Sequence, residues 1–362
     1  MEEGLLASLW LGSLLGPGSR RAGEMLARFG TAREAFRQRF SPEFLELLTK
    51  GQLEKLPGLT LESQLPVLEN CQRRGIGILT WEDPDYPQAF LDMEDLPVTL
   101  FVTGDPSVLN HPCCVGMVGS RRPSAYGVRV CAELGGELAR AGAVLVSGLA
   151  DGLDSQAHQA AVEAGMPTIG ILGTPIDKTY PAANASLRRK MEELGGATIS
   201  EYPPNGESHR QYFLLRNRLI AALSCALCVV EAREKSGTMS TVHRAQEYGR
   251  PVYAVPGNIF SPLSQGTNQL IAQGQARVLR SAEGLLEDLG ISASPQQPDK
   301  VPVAALSATA KRLLGALGDA PVSLEAICAA TGLGTGTVLA ALTELELAGQ
   351  VQPLPGRQYR LS

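Results

Sequence analysis

Several features are scarce or missing in this chain, and each absence removes a class of function. No unbroken apolar run reaches the roughly 18 residues that a membrane helix needs. Glu2 and Glu3 precede a short apolar stretch broken by glycine, so the basic start of a secretory signal is also missing. A cytoplasmic protein with no membrane anchor is expected. Histidine is rare, at four in 362 residues. The seven cysteines (Cys71, Cys113, Cys114, Cys131, Cys225, Cys228 and Cys328) mostly sit in apolar runs. Cys225 and Cys228 have CxxC spacing but fall in a predicted buried strand, with no second pair and no histidine cluster. They read as small reduced core residues rather than metal ligands. There is no Walker signature, and Gly119-Ser120 lacks the GxGxxG spacing of a dinucleotide site. No cofactor and no metal are expected.

An excess of positive charge is missing too. The net charge is −5, which argues against a protein coated in nucleic acid. The distribution weakens that objection. Residues 1–110 carry 10 Lys and Arg against 16 Asp and Glu, whereas residues 111–290 carry 17 against 16. A neutral segment with its arginines gathered at turns can still bind phosphate locally.

The length calls for two or three domains. Residues 1–72 read as a small helical module, with Leu5, Leu6, Leu9 and Trp10 on one face and Met25, Leu26 and Phe29 on another. The turn Leu15-Gly16-Pro17-Gly18-Ser19-Arg20 resembles a helix-hairpin-helix, whose amides can touch a DNA phosphate; a purely structural module fits the acidic surroundings equally well. Residues 73–290 read as the central α/β domain. Two short strands, Ile76–Thr80 and Val98–Val102, lead into it. Then come Val115–Val118, Val144–Val146, Thr168–Leu172, Thr198–Ser200, Ala226–Val230 and Val252–Val255, with helical patterns between nearly all of them. Short continuous apolar runs alternating with amphipathic helices predict a parallel sheet covered on both faces. Residues 291–303 are a polar, proline-containing linker. Residues 304–362 read as three helices and a hairpin, a winged helix. Its expected recognition helix, Thr335–Glu346, has two glutamates and no Lys or Arg, which favours a protein contact over DNA reading.

In a parallel sheet, ligands bind at the carboxyl ends of the strands, so five turns carry the argument. Gly119-Ser120-Arg121-Arg122 is a strand end that runs into a helix. Exposed amides, a helix dipole and two guanidinium groups there predict a phosphate pocket. In Ser147-Gly148-Leu149-Ala150-Asp151-Gly152-Leu153-Asp154, followed by His158, Asp154 and His158 are four apart. They form either an acid–base pair or a helix cap beside a structural histidine. A third turn holds Asp177–Asn184. The fourth follows Ser200-Glu201-Tyr202-Pro203 and leads to Arg210, Phe213 and Arg216-Asn217-Arg218. Cations with an aromatic suit a single-strand site, but Arg216 and Arg218 equally suit salt bridges to Glu201 or Glu231. The fifth, Glu231 to Ser236-Gly237-Thr238, opens a helix as a second anion-accepting nest.

Seven motifs, in order over residues 75–280, together resemble the DNA-processing protein A (DprA/Smf) family. They are Val118–Gly127, Ser147–His158, Tyr180-Pro181 with Asn184, Ser200–Pro203, Arg216–Arg218, Val230–Thr238 and Val255–Asn268. The resemblance implies an extended Rossmann-like parallel sheet, flanked by an N-terminal sterile-alpha-motif-like (SAM-like) or hairpin domain and a C-terminal winged helix. It implies a non-enzymatic homodimer that binds and protects single-stranded DNA and loads the RecA recombinase during transformation and recombination. It also implies DNA contacts at Arg121, Arg210 and Phe213. The full candidate DNA-binding set is Gly119, Ser120, Arg121, Arg122, Ser147, Gly148, Asn184, Arg210, Phe213, Arg216, Asn217, Arg218, Ser236, Gly237 and Thr238. Asp151 stands where the family usually has arginine, and Leu214-Leu215 replaces the usual proline-containing approach to Arg216. The competing reading is a nucleotide or phosphoribosyl hydrolase on a related scaffold, using Glu201 or Asp154 with His158.

Overall fold

The computed structural model describes residues 2–291, 306–315, 317–318, 322–348, 350–354 and 358–361. Most of the expected linker 291–303 lies outside the described residues. The chain divides into two units, one ending at residue 294 and the other beginning at residue 295.

The first unit opens with six helices: α1 (Glu2–Leu15), α2 (Arg21–Phe29), α3 (Ala32–Arg37), α4 (Pro42–Leu45), α5 (Lys50–Lys55) and α6 (Leu65–Arg74). Ser41, Thr31 and Thr49 cap their helices by accepting backbone N–H groups, which explains helices as short as four to six residues. Trp10 is fully buried between Phe36 and Phe44, and its indole N–H donates to the Leu59 carbonyl. The same apolar cluster continues into the sheet through Leu100, Val118 and Val146. The expected division at residue 72 therefore has no gap in packing to match it.

The sheet has nine strands: β1 (Gly77–Thr80), β2 (Thr99–Gly104), β3 (Cys114–Val118), β4 (Val144–Ser147), β5 (Thr168–Ile171), β6 (Ala197–Ser200), β7 (Ala226–Val229), β8 (Val252–Ala254) and β9 (Arg277–Val278). Their spatial order is β1-β2-β6-β5-β4-β3-β7-β8-β9. Strands β3 to β9 are mutually parallel, and β1 and β2 add an antiparallel edge. Helices α7 (Ala125–Arg140), α8 (Leu153–Glu163), α9 (Ala185–Glu193), α10 (Arg210–Leu223), α11 (Thr238–Glu247), α12 (Gln265–Ala272) and α13 (Ala282–Asp288) complete the unit. Alternation along each strand divides the core into two layers. Cys114 and Val118 of β3 join Leu227 and Val229 of β7 in one, while Val115 and Met117 join Ala226 and Cys228 in the other. Burial on both faces is why these strands read as unbroken apolar runs.

The second unit is a winged helix: α14 (Ala308–Leu314), β10 (Val322–Ser323), α15 (Leu324–Thr331), α16 (Thr335–Leu347), β11 (Val351–Leu354) and β12 (Gln358–Leu361). Leu313, Ile327, Val338, Leu342 and Leu345 form its core. The α16 acid Glu344 accepts from the Ser307 backbone N–H and hydroxyl at 2.7 Å each, at the surface of the unit. These two bonds hold its carboxyl below the usual carboxylate range.

Candidate nucleic-acid interface

The strand order reverses between β3 and β7, because β3 is followed in sequence by β4 on one side while β7 flanks it on the other. A crevice at the carboxyl ends is expected at such a switch point. An open groove of ≈ 1110 Å³ lies there, lined from the turns after β3, β4, β5 and β7 and from α10.

The turns are fastened to one another. Thr238 Oγ1 donates to the Gly119 carbonyl at 3.2 Å, and Leu153 N–H donates to the Ser120 carbonyl at 3.1 Å. Gly152 has φ +81°, and any Cβ there would strike the Ser120 carbonyl and the Arg121 backbone. Asn217 Nδ2 donates to Ser240 Oγ at 2.9 Å and to the Gly237 carbonyl at 3.3 Å, fixing the start of α11 against α10.

The expected phosphate pocket at the start of α7 is already filled. Glu231 accepts from Ser124 N–H at 2.9 Å and from Ser124 Oγ at 2.5 Å. A carboxylate of the protein thus takes the place a phosphate would have at that helix N-terminus. What remains for a ligand is the guanidinium of Arg121. It reaches over the Phe213 ring, 5.5 Å from its centroid, and Tyr180 packs on the same ring at 5.5 Å with a 58° interplanar angle. Tyr180 is 57% exposed. Gly173 makes room for this stack, because a Cβ there would meet the Phe213 backbone and ring at about 3 Å. Exposed Lys178, Arg210 and Arg233 join Arg121 along the groove, and Asp154 is the carboxylate in its lining. The Ser236 hydroxyl, also in the lining, is buried without a hydrogen-bond partner.

Several candidates serve the scaffold instead. Arg218 is 1% exposed and donates to Glu201 at 2.6 Å, with Asp95 at 3.5 Å, so it is not free to meet DNA. Arg216 is buried at the groove floor, where its Nη1 donates to the Gly148 carbonyl at 2.8 Å. Burial pulls its pKa down to about 10, opposed by the charge of Asp154. Gly148 leaves room for this bond, because a side chain there would collide with both Arg216 and Asp154. Ser147 is fully buried and donates to the Met117 carbonyl at 2.6 Å. Asn184 Nδ2 donates to the Leu149 carbonyl at 2.9 Å and steadies a residue with φ +52°. Arg122 is exposed but outside the groove lining, as is Asp151.

Asp154 and His158 do not form an acid–base pair. His158 is fully buried, with Nδ1 against Thr168 Oγ1 at 2.8 Å, and burial followed by the Arg216 charge pushes its pKa down to about 3. Burial raises the Asp154 pKa, while Arg216 and Arg121 pull it back. The helix-hairpin turn is likewise spent internally. Gly18 packs against α10, where any Cβ on it would collide with the Leu215 side chain. Among the described residues no group of three His, Cys, Asp or Glu is placed to hold a metal ion.

Residues 77–290, more than half of the chain, match the family model for DNA recombination-mediator protein A. The chain belongs to that family. A model for the winged helix domain of the family's DprA members matches residues 297–357. DNA processing protein DprA of Bacillus subtilis (strain 168) is 38% identical over 223 residues, covering 62% of this chain and 74% of that protein. Protein Smf of Escherichia coli (strain K12) is 35% identical over 314 residues, covering 84% and 82%. The X-ray structure of DNA processing protein A from Streptococcus pneumoniae superposes with a TM-score of 0.60 at 30% identity, covering 80% of this chain and 93% of that one. The Helicobacter pylori protein superposes with a TM-score of 0.53 at 34% identity, covering 59% and 95%; its structure was described for its single-stranded DNA binding mode.

Tyr180, Lys178 and Arg233 line the groove of this family member but are absent from the candidate set. An aromatic beside proline in a strand-end turn was the available signal for Tyr180. Arg233 sits among Glu231, Glu234 and Lys235, where sequence alone gives its charge no direction.

Proposed function

We propose that this family member binds single-stranded DNA in the groove, without sequence preference, as a recombination mediator. Arg121, Lys178, Arg210 and Arg233 meet the phosphates, and Phe213 with Tyr180 supplies a stacking surface for a base. The observation that carries the reading is the Phe213 ring in contact with both the Arg121 guanidinium and the exposed Tyr180 ring at a strand-end crevice. A backbone-tracking cation row beside an aromatic face is the minimal kit for a single strand. The binding mode described for the Helicobacter pylori relative supports the same ligand. Family membership supports the wider role: a homodimer that protects incoming DNA and hands it to the RecA recombinase. The hydrolase alternative loses its best residues, since His158 is buried and Glu201 is engaged by Arg218.

The test is fluorescence anisotropy with labelled oligo-dT and a duplex of equal length over a salt series. Tighter binding of oligo-dT, without metal or nucleotide and with a negative salt slope, is expected. Equal or tighter duplex binding would overturn the proposal. For the wider role, the expected result is assembly of RecA, dependent on this protein, on strands coated with single-strand-binding protein.

A further inference from the structure

The amino ends of β3 and β7 lie at the opposite edge of the sheet from the groove, and they carry three cysteines. The two strands are in register with Val115 beside Ala226, so Cys114 and Cys225 stand side by side one position earlier. Cys225 N–H donates to the Cys114 carbonyl at 2.7 Å. Cys113 precedes Cys114, and Cys225 packs against the apolar layer that contains Cys113.

The three thiols have different surroundings. Cys113 and Cys114 are 5% and 3% exposed, whereas Cys225 is only partly buried and reaches solvent. Cys114 donates to the His111 carbonyl at 3.4 Å, and His111 Nδ1 accepts from Cys113 N–H at 3.2 Å. Arg250 lies close enough to act on Cys225 by its charge. Its Nη2 donates to the Ala222 carbonyl at 3.2 Å, and its Nε is buried without a partner. The Cys113 thiol, the amides of Cys225 and Ala226 and the Arg250 charge all favour the Cys225 thiolate and draw its pKa down. Burial moves Cys71, Cys114 and Cys131 the other way, to about 11, 12 and 12. A solvent-reaching thiolate beside a second thiol is the arrangement that oxidises selectively.

We propose that Cys225 is a peroxide-reactive thiol and that Cys113 is its resolving partner, giving an intramolecular disulfide between β3 and β7. The Cys225 thiolate attacks one oxygen of hydrogen peroxide. The O–O bond breaks, leaving Cys225 as a sulfenic acid and releasing hydroxide, which takes a proton to become water. The Cys113 sulfur then attacks the Cys225 sulfur, the S–O bond breaks, and the oxygen leaves as a second water with the Cys113 proton. Two thiols and one peroxide become one disulfide and two waters, and a dithiol reverses the change by exchange. The bridge staples the two strands whose far ends carry Arg121 and Ser236–Thr238, without touching the groove.

The experiment treats the full-length protein with hydrogen peroxide, alkylates the remaining thiols and maps the peptides by mass spectrometry. The expected product is a Cys113–Cys225 cross-link that dithiothreitol removes, with a higher melting temperature than the reduced protein. Cys225→Ser abolishes it. Cys113→Ser leaves a Cys225 sulfenic acid that dimedone traps, a result independent of whether the bridge alters stability. Cys225 alkylated as fully after peroxide as before, or oxidation confined to Cys328, would overturn the proposal.

Discussion

Two helices invite comparison as DNA-facing elements, α10 of the central unit and α16 of the winged helix. Helix α10 carries Arg210, Arg216 and Arg218 within nine positions, and the three do different things. Arg210 is exposed on the groove, Arg216 forms its floor, and Arg218 is locked to Glu201 and Asp95. Helix α16 has no basic residue, and its exposed positions Thr337, Leu339, Ala340 and Thr343 are uncharged. Counting arginines would credit α10 with three ligand contacts, and the shape of α16 would credit it with DNA reading. The difference teaches that only charge left uncommitted at a surface is evidence for a polyanion.

The sharpest way to break the comparison is inside α10. Arg218→Met strands Glu201 and Asp95 without their cation, and breaking a buried pair costs roughly 3–5 kcal/mol. A large fall in melting temperature is expected, with unchanged oligo-dT affinity in the fraction that remains folded. Lost affinity at full stability would show that Arg218 faces the ligand after all.

Arg121→Glu should be the largest change in binding. It replaces attraction by repulsion beside Phe213 and puts a carboxylate where a phosphate is expected, a loss of about 100-fold or more, on the order of 3 kcal/mol. Arg121 is exposed, so the melting temperature should move little. Wild-type affinity at moderate salt would remove the groove as the binding site.

Phe213→Ala separates stacking from charge. One aromatic is worth roughly 1–3 kcal/mol per stacked base, and its loss should leave the salt slope nearly unchanged. Arg210→Ala should instead flatten the slope by about 0.7 for one phosphate contact on a single strand. Phe213 is only partly buried, so a stability loss of roughly 3–5 kcal/mol, the cost of deleting a core aromatic, would mark it as packing and leave the cations as the site.

The contrast also marks how far sequence reading reaches. Eight strands were legible within a residue or two, because a parallel strand buried on both faces leaves a continuous apolar run. The ninth, Arg277–Val278, is two exposed residues at an edge and leaves no such trace. Turns were legible as a set, since the carboxyl-end rule picks them. Individual side chains were not, because their partners are remote in sequence. Glu231 reaches Ser124 across 107 positions and closes a helix end that looked open. Arg216 meets Gly148 across 68. The acid–base spacing of Asp154 and His158 was real on the helix and empty as chemistry, since His158 turns to Thr168.

The smallest expected effect comes from the winged helix. Deleting residues 301–362 removes four basic and four acidic residues, so the net charge available to a polyanion does not change. Glu344, one of the two acids of α16, is engaged by Ser307 within the unit, and the exposed side chains of α16, Leu339 among them, are uncharged. The first unit keeps its own core from Trp10 through the sheet, so the shortened chain should fold. Oligo-dT affinity should then fall by less than tenfold, under about 1.4 kcal/mol. The salt slope should stay within one phosphate contact of the full chain, about 0.7. A larger loss with a flatter slope would mean that basic residues of the winged helix reach phosphate, and the comparison between α10 and α16 would fail at its weaker member. A larger loss with the slope unchanged would point to the uncharged α16 face stacking or packing on the strand, which is a different error and calls for Leu339→Ala as the discriminating variant.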